Sequence, residues 1–139
     1  MDKFVLNEIY TDGYERYAVV QISGQETKIC VHFLEYDEYL ENNKETSKRK
    51  IGDFLEGELS ISLVCASKKV YEEFDYCQKI PKSSHIEAVV EVVKVVDEYS
   101  LKVCSSILPG NIMIEFETSA DYKAGDRIWV SGSLELDIT

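Results

Sequence analysis

The chain has 139 residues, of which 45% are hydrophobic, and its formal net charge is -11. This length is enough to bury the core of one compact domain, or of two small subdomains that share a core, and the composition excludes a disordered chain. The acidic excess, 26 Asp and Glu against 15 Lys and Arg, opposes binding to phosphate backbones.

The N-terminal sequence predicts a cytoplasmic protein. MDKFVLNEIY lacks the basic region, the apolar run and the small-residue cleavage site of a secretory signal. The apolar runs elsewhere are too short to cross a bilayer as a helix. We therefore expect a cytoplasmic protein without membrane contact.

The first part of the chain predicts a three-stranded meander. KFVLNEIY, YERYAVVQI and TKICVHF are typical strand sequences, and Thr11-Asp12-Gly13 and Ser23-Gly24-Gln25 between them are hairpin signals. The stretch that follows, residues 34–49, has almost no β-branched residues. It predicts either a short helix or an ordered acidic loop near residues 35–47.

A long strand comes next, and its sequence recurs at the end of the chain. KIGDFLEGELSISLV and KAGDRIWVSGSLELDI both begin with Lys-x-Gly-Asp and continue with alternating apolar residues. A Gly in each apolar row permits a bend or a close backbone contact. The repeat fits either an old duplication or two β-units built by the same rules. The predicted buried rows are Leu55, Gly57, Leu59, Ile61, Leu63 and Cys65 in the first copy, and Ile128, Val130, Gly132, Leu134, Leu136 and Ile138 in the second.

The second half contains one ambiguous segment, residues 85–97. Ser84 and Glu87 have the spacing of a capping box, which predicts a helix. Six valines between Val89 and Val96 instead favour a strand buried on both sides, and strand is the preferred prediction. LKVCSSI, a turn at residues 108–111 and the alternating IMIEFE complete this half. In the last of these, Ile112, Ile114 and Phe116 are the predicted inward residues.

These elements together predict a mostly β protein made of two similar meander or barrel halves. The halves are residues 1–76 and residues 77–139, as two domains or as one compact domain.

The second half resembles the five-stranded OB-fold barrel over about residues 85–138. The resemblance depends on a Gly-Asp turn followed by alternating apolar residues and a Gly, here Gly125, Asp126, Ile128, Val130, Gly132 and Leu134. The first half matches only through Gly52, Asp53, Gly57 and Leu59. The resemblance implies binding of single-stranded nucleic acid on aromatic platforms, for which Trp129, Tyr122, Tyr99 and Phe116 are the candidates. Because the main basic cluster is only Lys44, Lys48, Arg49 and Lys50, this function is the alternative prediction.

The cysteines and histidines indicate no catalytic or metal site. Cys30, Cys65 and Cys104 lie in strand-like stretches, where free cysteines are commonly buried, and Cys77 lies in a polar stretch that predicts exposure. No CxxC pair occurs, and His32 and His85 belong to no Ser/His/Asp, Cys/His or HExxH pattern. We expect reduced structural thiols, no metal, no cofactor and no enzymatic activity.

Two stretches interleave tyrosines with carboxylates and predict a surface that binds a basic protein. Carboxylates steer a basic partner toward the surface, and aromatic rings provide buried area. The alternative is that these stretches are solubilising faces whose rings pack on the core. Small acidic proteins that neutralise a basic toxin have this general size and charge, so an immunity-like role is the predicted function. The predicted partner-binding residues are Glu35, Tyr36, Asp37, Glu38, Tyr39, Glu41, Glu72, Glu73 and Asp75.

Overall fold

A computed structural model describes residues 2–41 and 43–139 of the chain. The described residues form nine strands and no helix, so the predicted mostly β fold class is confirmed. Of the two predictions for residues 35–47, the ordered acidic loop is confirmed over its described residues and the short helix is wrong. The strands are β1 (Asp2–Asp12), β2 (Glu15–Ile22), β3 (Lys28–Leu34), β4 (Phe54–Lys69), β5 (Asp75–Cys77), β6 (His85–Asp97), β7 (Ser100–Cys104), β8 (Asn111–Phe116) and β9 (Arg127–Ile138).

The chain divides into two compact units. Unit 1 contains the residues up to Glu58 together with Ile80–Ser84 and Glu135–Thr139. Unit 2 contains Leu59–Lys79 and His85–Leu134. The predicted halves divided the chain once, at residue 76, whereas each observed unit takes a part of β4 and a part of β9.

The strand pairing of unit 1 returns to the strand at which it begins. β1, β2 and β3 form the predicted antiparallel meander, with the expected hairpins. β3 pairs in parallel with the end of β9, where His32 faces Glu135. β9 neighbours β4, and the start of β4 pairs with β1. The order is therefore β1-β2-β3-β9-β4 and back to β1.

Unit 2 follows the same order with different strands. β6, β7 and β8 form an antiparallel meander, and β8 pairs in parallel with the later part of β4. β4 neighbours β9, and the first part of β9 pairs with β6. The order is β6-β7-β8-β4-β9 and back to β6, with the short strand β5 added outside β6. The prediction that residues 85–97 form a strand is confirmed.

The repeated phrase corresponds to this exchange of strands. The start of β4 follows the meander of unit 1 and pairs with its first strand, β1, and the start of β9 follows the meander of unit 2 and pairs with its first strand, β6. The end of β9 is the parallel partner of β3 in unit 1, and the later part of β4 is the parallel partner of β8 in unit 2. The Lys-x-Gly-Asp turns before them are alike in detail. Asp53 accepts a hydrogen bond from the Lys50 amide at 2.9 Å, and Asp126 accepts one from the Lys123 amide at 2.9 Å. The intervening Gly residues have φ of 96° and 92°, which a Gly adopts without steric cost.

The Gly in each repeated strand lies against the backbone of a neighbouring strand. A Cβ added at Gly57 would lie 2.3 Å from the carbonyl oxygen of Asp137, and a Cβ added at Gly132 would lie 2.7 Å from that of Ser62. The close backbone contact predicted for these two positions is confirmed. A side chain at either position would therefore displace the neighbouring backbone.

The predicted buried row of β9 is confirmed from Ile128 to Leu136, and Ile138 is half-buried. The predicted row of β4 is confirmed only as far as Ile61. Leu63 is 62% exposed, Cys65 is also exposed, and Val64 is buried instead. The physical reason is a break in the strand, because Leu63 has a φ of 54° and the pairing register with β8 shifts there.

Two further burial predictions need correction. The valines of β6 are buried up to Val92, but Val93, Val95 and Val96 are exposed, so the strand is not buried on both sides throughout. They lie in the part of β6 that pairs only with β7, beyond the residues that pair with β5 and β9.

Of the cysteines in strands, Cys30 is buried and Cys104 is half-buried. The predicted exposure of Cys77 is confirmed, and none of the four cysteines forms a disulfide.

Candidate functional site

The acidic loop of unit 1, defined as residues 35–41 and 43–53, uses two of its carboxylates to hold its own structure. Glu35 is buried, and it pairs with Arg49 at 2.7 Å and with Lys48 at 3.6 Å. Because burying a charge is costly unless it is paired, these two cations compensate Glu35 within the loop. Glu35 was predicted to bind a partner, but the structure places it inside.

Glu38 is the second internal carboxylate. Its side chain accepts hydrogen bonds from Ser47 and Thr46, which hold the pKa of Glu38 down at about 2. It also lies 3.5 Å from the guanidinium of Arg16, which is fully buried. Arg16 in turn donates to the backbone carbonyls of Gly13, Glu15 and Glu38 itself. Glu38 thus connects the loop to the β1–β2 hairpin.

The remaining predicted residues of this loop face solvent. Asp37 is exposed and pairs with Lys48 at 2.5 Å, and this hydrogen bond lowers the pKa of Asp37. Glu41 is exposed and forms no ion pair with another described residue. Tyr36 and Tyr39 are also exposed.

These two tyrosines form a patch with a third tyrosine, which lies outside both predicted partner-binding stretches. The tyrosine patch consists of Tyr14, Tyr36 and Tyr39, with the ring of Tyr14 6.1 Å from that of Tyr36 and 5.1 Å from that of Tyr39. Tyr14 belongs to the β1–β2 hairpin, and the bridge between Gly13 and Leu40 brings the loop against it. The hairpin signal in the sequence placed Tyr14 at a turn, but nothing local indicated which residues it would meet.

The second predicted stretch lies in unit 2 and borders an open cavity of about 670 Å³. We call this cavity the aromatic groove. Its walls combine four rings with four carboxylates, which are Tyr71, Phe74, Tyr76 and Trp129, and Glu72, Glu73, Asp75 and Glu87. The three predicted carboxylates of this stretch, Glu72, Glu73 and Asp75, are all exposed here.

Two rings of the aromatic groove already contact cations of the same unit. The guanidinium carbon of Arg127 lies 4.6 Å from the centre of the Phe74 ring, and the amino group of Lys68 lies 5.6 Å from the Trp129 ring. Both distances are within the range of cation–π attraction. Tyr71 is the most exposed ring of the groove, at 95%.

The groove carboxylates differ in what they already bind. Glu87 pairs with Lys79 at 2.8 Å, which lowers its pKa, and Asp75 accepts a hydrogen bond from the amide of Tyr76. The side chains of Glu72 and Glu73 form no ion pair with any other described residue. Trp129 and Glu87, which complete the groove, were not predicted as partner-binding residues because strand pairing brings them there from β9 and β6.

The aromatic residues considered for a nucleic-acid platform do not form one cluster. Phe116 is 9% exposed and lies 6.2 Å from Tyr122, which hydrogen-bonds to Ser67. Trp129 lines the aromatic groove instead, and Tyr99 lies exposed at the turn between β6 and β7.

His32 lies between two carboxylates. Its Nδ1 is 2.7 Å from Glu135, and its Nε2 is 3.3 Å from Glu15. The hydrogen bond with Glu135 raises the pKa of His32, against the opposing effect of burial. The role that follows from this geometry is to join β3 to β9.

Across residues 2–41 and 43–139, no three His, Cys, Asp or Glu side chains are grouped so as to hold a metal ion. The same residues include no helix long and apolar enough to cross a membrane. Comparison with models of known protein families, with curated proteins and with solved structures finds no match.

Proposed function

We propose that the protein is a non-catalytic module that binds a basic protein partner, and that the aromatic groove receives the partner's Arg and Lys side chains. The observation that carries this proposal is that Phe74 and Trp129 already hold Arg127 and Lys68 at cation–π distance. The same attraction acts between a partner's cations and the other two rings of the groove, Tyr71 and Tyr76.

The uncommitted groups of the groove support the same partner. Tyr71 is almost fully exposed, and it is followed by Glu72 and Glu73, whose side chains form no ion pair with another described residue. Tyr71 and both carboxylates line the groove, so an arginine bound there meets a ring and acidic groups together. The net charge of -11 adds long-range attraction for a basic partner, which raises the rate of encounter. Neutralisation of a basic toxin is one role that this binding would serve.

The natural reporter is Trp129, because it is the only Trp in the chain and lines the groove. We would titrate the protein with a short peptide of alternating Arg and Gly and record Trp fluorescence. We expect a saturable change that weakens as salt is added. A peptide of alternating Glu and Gly should produce none.

A double variant tests the site itself. Glu72→Gln with Glu73→Gln should weaken peptide binding about fivefold, since two exposed ion pairs together contribute about 1 kcal/mol. The matched control, Glu26→Gln with Glu117→Gln, removes two exposed carboxylates elsewhere and reduces the net negative charge by the same amount. It should change the affinity by no more than about twofold. If both double variants bind alike, the groove is not the binding site.

The tyrosine patch is a second surface for the same partner in unit 1. Tyr39→Ala removes one of the two loop rings that pack beside Tyr14, and it should weaken binding of a cognate basic protein. Glu38→Lys is not a suitable binding test, because Glu38 supports Arg16 and the loop.

Single-stranded nucleic-acid binding is the second candidate, and the strand order favours it. We propose that each unit is an OB-type barrel, because each has five strands in a returning order with one parallel pair. Barrels of this type bind single strands by stacking bases on aromatic residues. Oligonucleotides that quench Trp129 where the Arg-Gly peptide does not would establish this candidate over the first.

A further inference from the structure

Unit 1 contains a cavity whose charged residues are mainly basic, although the protein as a whole is acidic. It has a volume of about 540 Å³ and lies between β1 and the later part of the acidic loop. Lys44, Arg49 and Lys50 line it, with Glu45 as its single carboxylate. Ile9 and Ile51 supply an apolar wall, and Ile51 is 63% exposed. Cavities of this size are typical of small-molecule sites.

The hydrogen bonds of the cavity leave mainly donors uncommitted. The hydroxyl of Thr11 donates to the Lys44 carbonyl, and the side-chain oxygen of Asn43 accepts from the Thr11 amide, which leaves the Asn43 NH₂ group to donate. The hydroxyl of Thr46 donates to Glu38. These polar groups therefore hold the loop in place and present few acceptors to a ligand.

The cations of the cavity are only partly neutralised. Arg49 uses its Nε to bind Glu35, and no hydrogen bond joins its two terminal nitrogens to another described residue. The amino groups of Lys44 and Lys50 form no ion pair within the described part of the chain, in contrast to Lys48, which is paired with Asp37. Three cationic groups and one amide are thus available to a ligand that has acceptor oxygens.

We propose that this cavity binds a small organic anion, a phosphate monoester or carboxylate whose apolar end lies along Ile9 and Ile51. Planar, acceptor-rich groups suit the terminal nitrogens of Arg49, and the two lysines add point charges. The net charge of the protein opposes an anion at long range, but exposed charges beyond about 8 Å are largely screened at physiological salt. The nearby cations therefore determine the local attraction. This site is independent of the aromatic groove.

The test uses phenyl phosphate as the probe, followed by amide chemical shifts in two-dimensional NMR of the whole chain. We expect saturable shifts confined to the backbone amides of Thr11, Lys44 and Lys50 and to the side chain of Asn43. Benzylamine, which has a similar ring but a positive charge, should shift none of them. Shifts spread evenly over the protein, or equal shifts with benzylamine, would overturn the proposal.

Two sets of variants separate the charged and apolar parts. Lys44→Gln with Lys50→Gln should weaken phenyl phosphate binding at least about tenfold, while the control pair Lys28→Gln with Lys102→Gln should change it less than about twofold. Ile51→Ser should weaken phenyl phosphate but leave inorganic phosphate unchanged. If the lysine variants and the control pair bind alike, or if inorganic phosphate binds as tightly as phenyl phosphate to the unchanged protein, the proposed ligand class is wrong.

Discussion

The two glycines at which β4 meets β9 allow a direct test of the fold. A methyl group at Gly57 would lie 2.3 Å from a backbone oxygen, where side-chain carbons essentially never come closer than 3.0 Å, so the backbone would have to move by about 0.7 Å. At Gly132 the nearest atom is 2.7 Å away, and the required movement is about 0.3 Å. Neither glycine has a positive φ, so the effect of Ala at either position is one of space.

The magnitude follows from two opposing terms. Overpacking of this kind costs about 1–3 kcal/mol, and we place Gly57→Ala at the upper end because its contact with the neighbouring backbone is the closer of the two. Replacing Gly by Ala also restricts the unfolded chain, which returns about 0.4–1 kcal/mol. The free energy of unfolding should therefore fall by about 2 kcal/mol for Gly57→Ala and by about 1 kcal/mol for Gly132→Ala.

The assay is equilibrium unfolding in urea, followed by far-ultraviolet circular dichroism. The matched control is Glu58→Ala, at the exposed position next to Gly57, which should change the free energy of unfolding by no more than about 0.5 kcal/mol. A Gly57→Ala protein as stable as the original, or a Gly132→Ala protein less stable than Gly57→Ala, would refute the reasoning from close approach.

Three further predictions concern buried or half-buried polar groups. Arg16→Met should lower the free energy of unfolding by about 3 kcal/mol in the same urea assay, because the carbonyls that the guanidinium satisfies lose a charged donor; an unchanged midpoint would contradict this. The ion pair of His32 with Glu135 raises the pKa of His32, so its contribution to stability is fully present below about pH 6.5 and is lost as the pH rises through the raised pKa. His32→Gln should remove that dependence in unfolding curves recorded across this range, and a protein that keeps it would show that another group is responsible. Burial raises the pKa of Cys30 to about 11, so a thiol reagent at neutral pH should modify exposed Cys77 well before Cys30, as peptide mass mapping would show; equal rates would argue that β3 opens readily.

Much of the secondary structure was predictable because its signals are local. Alternation of apolar residues depends only on the geometry of a single strand, and it identified β1, β2, β3, β8 and β9. The valine content of residues 85–97 identified β6 against a competing capping box. The two Gly-Asp turns were visible because both the Gly and the Asp act on neighbouring backbone.

The burial of Leu63 was predicted wrongly, because it depends on a pairing partner that is distant in the sequence. The apolar row of β4 continues at every second residue as far as Cys65, but the strand changes its buried face between Ile61 and Val64. The change occurs where β4 pairs with β8, and the irregular register there depends on a strand about 50 residues further along the chain. Within β4 the consecutive apolar residues Leu63, Val64 and Cys65 make either face possible, and the sequence of the strand does not decide between them.

The candidate sites were predictable in composition but not in role. The sequence shows that residues 35–41 and 71–76 mix tyrosines with carboxylates, and this follows from residue types alone. Only the tertiary structure decides that Glu35 pairs with Arg49 and Glu38 with Arg16. The side chains of Glu72 and Glu73 form no ion pair with another described residue, so they can bind a partner. Whether a carboxylate is free depends on which cation folds beside it, and Arg16 lies 22 residues from Glu38 along the chain.

The contribution of β4 and β9 to both units also depends on residues that are distant in the sequence. A repeated phrase establishes that two strands obey the same rules, with an apolar row, a Gly and a turn before each. Their partners are chosen by backbone hydrogen bonds formed across the whole chain, which carry no local sequence signature. The sequence by itself therefore determined the strands and their turns, and the tertiary structure decided which strands pair and which charges reach the surface.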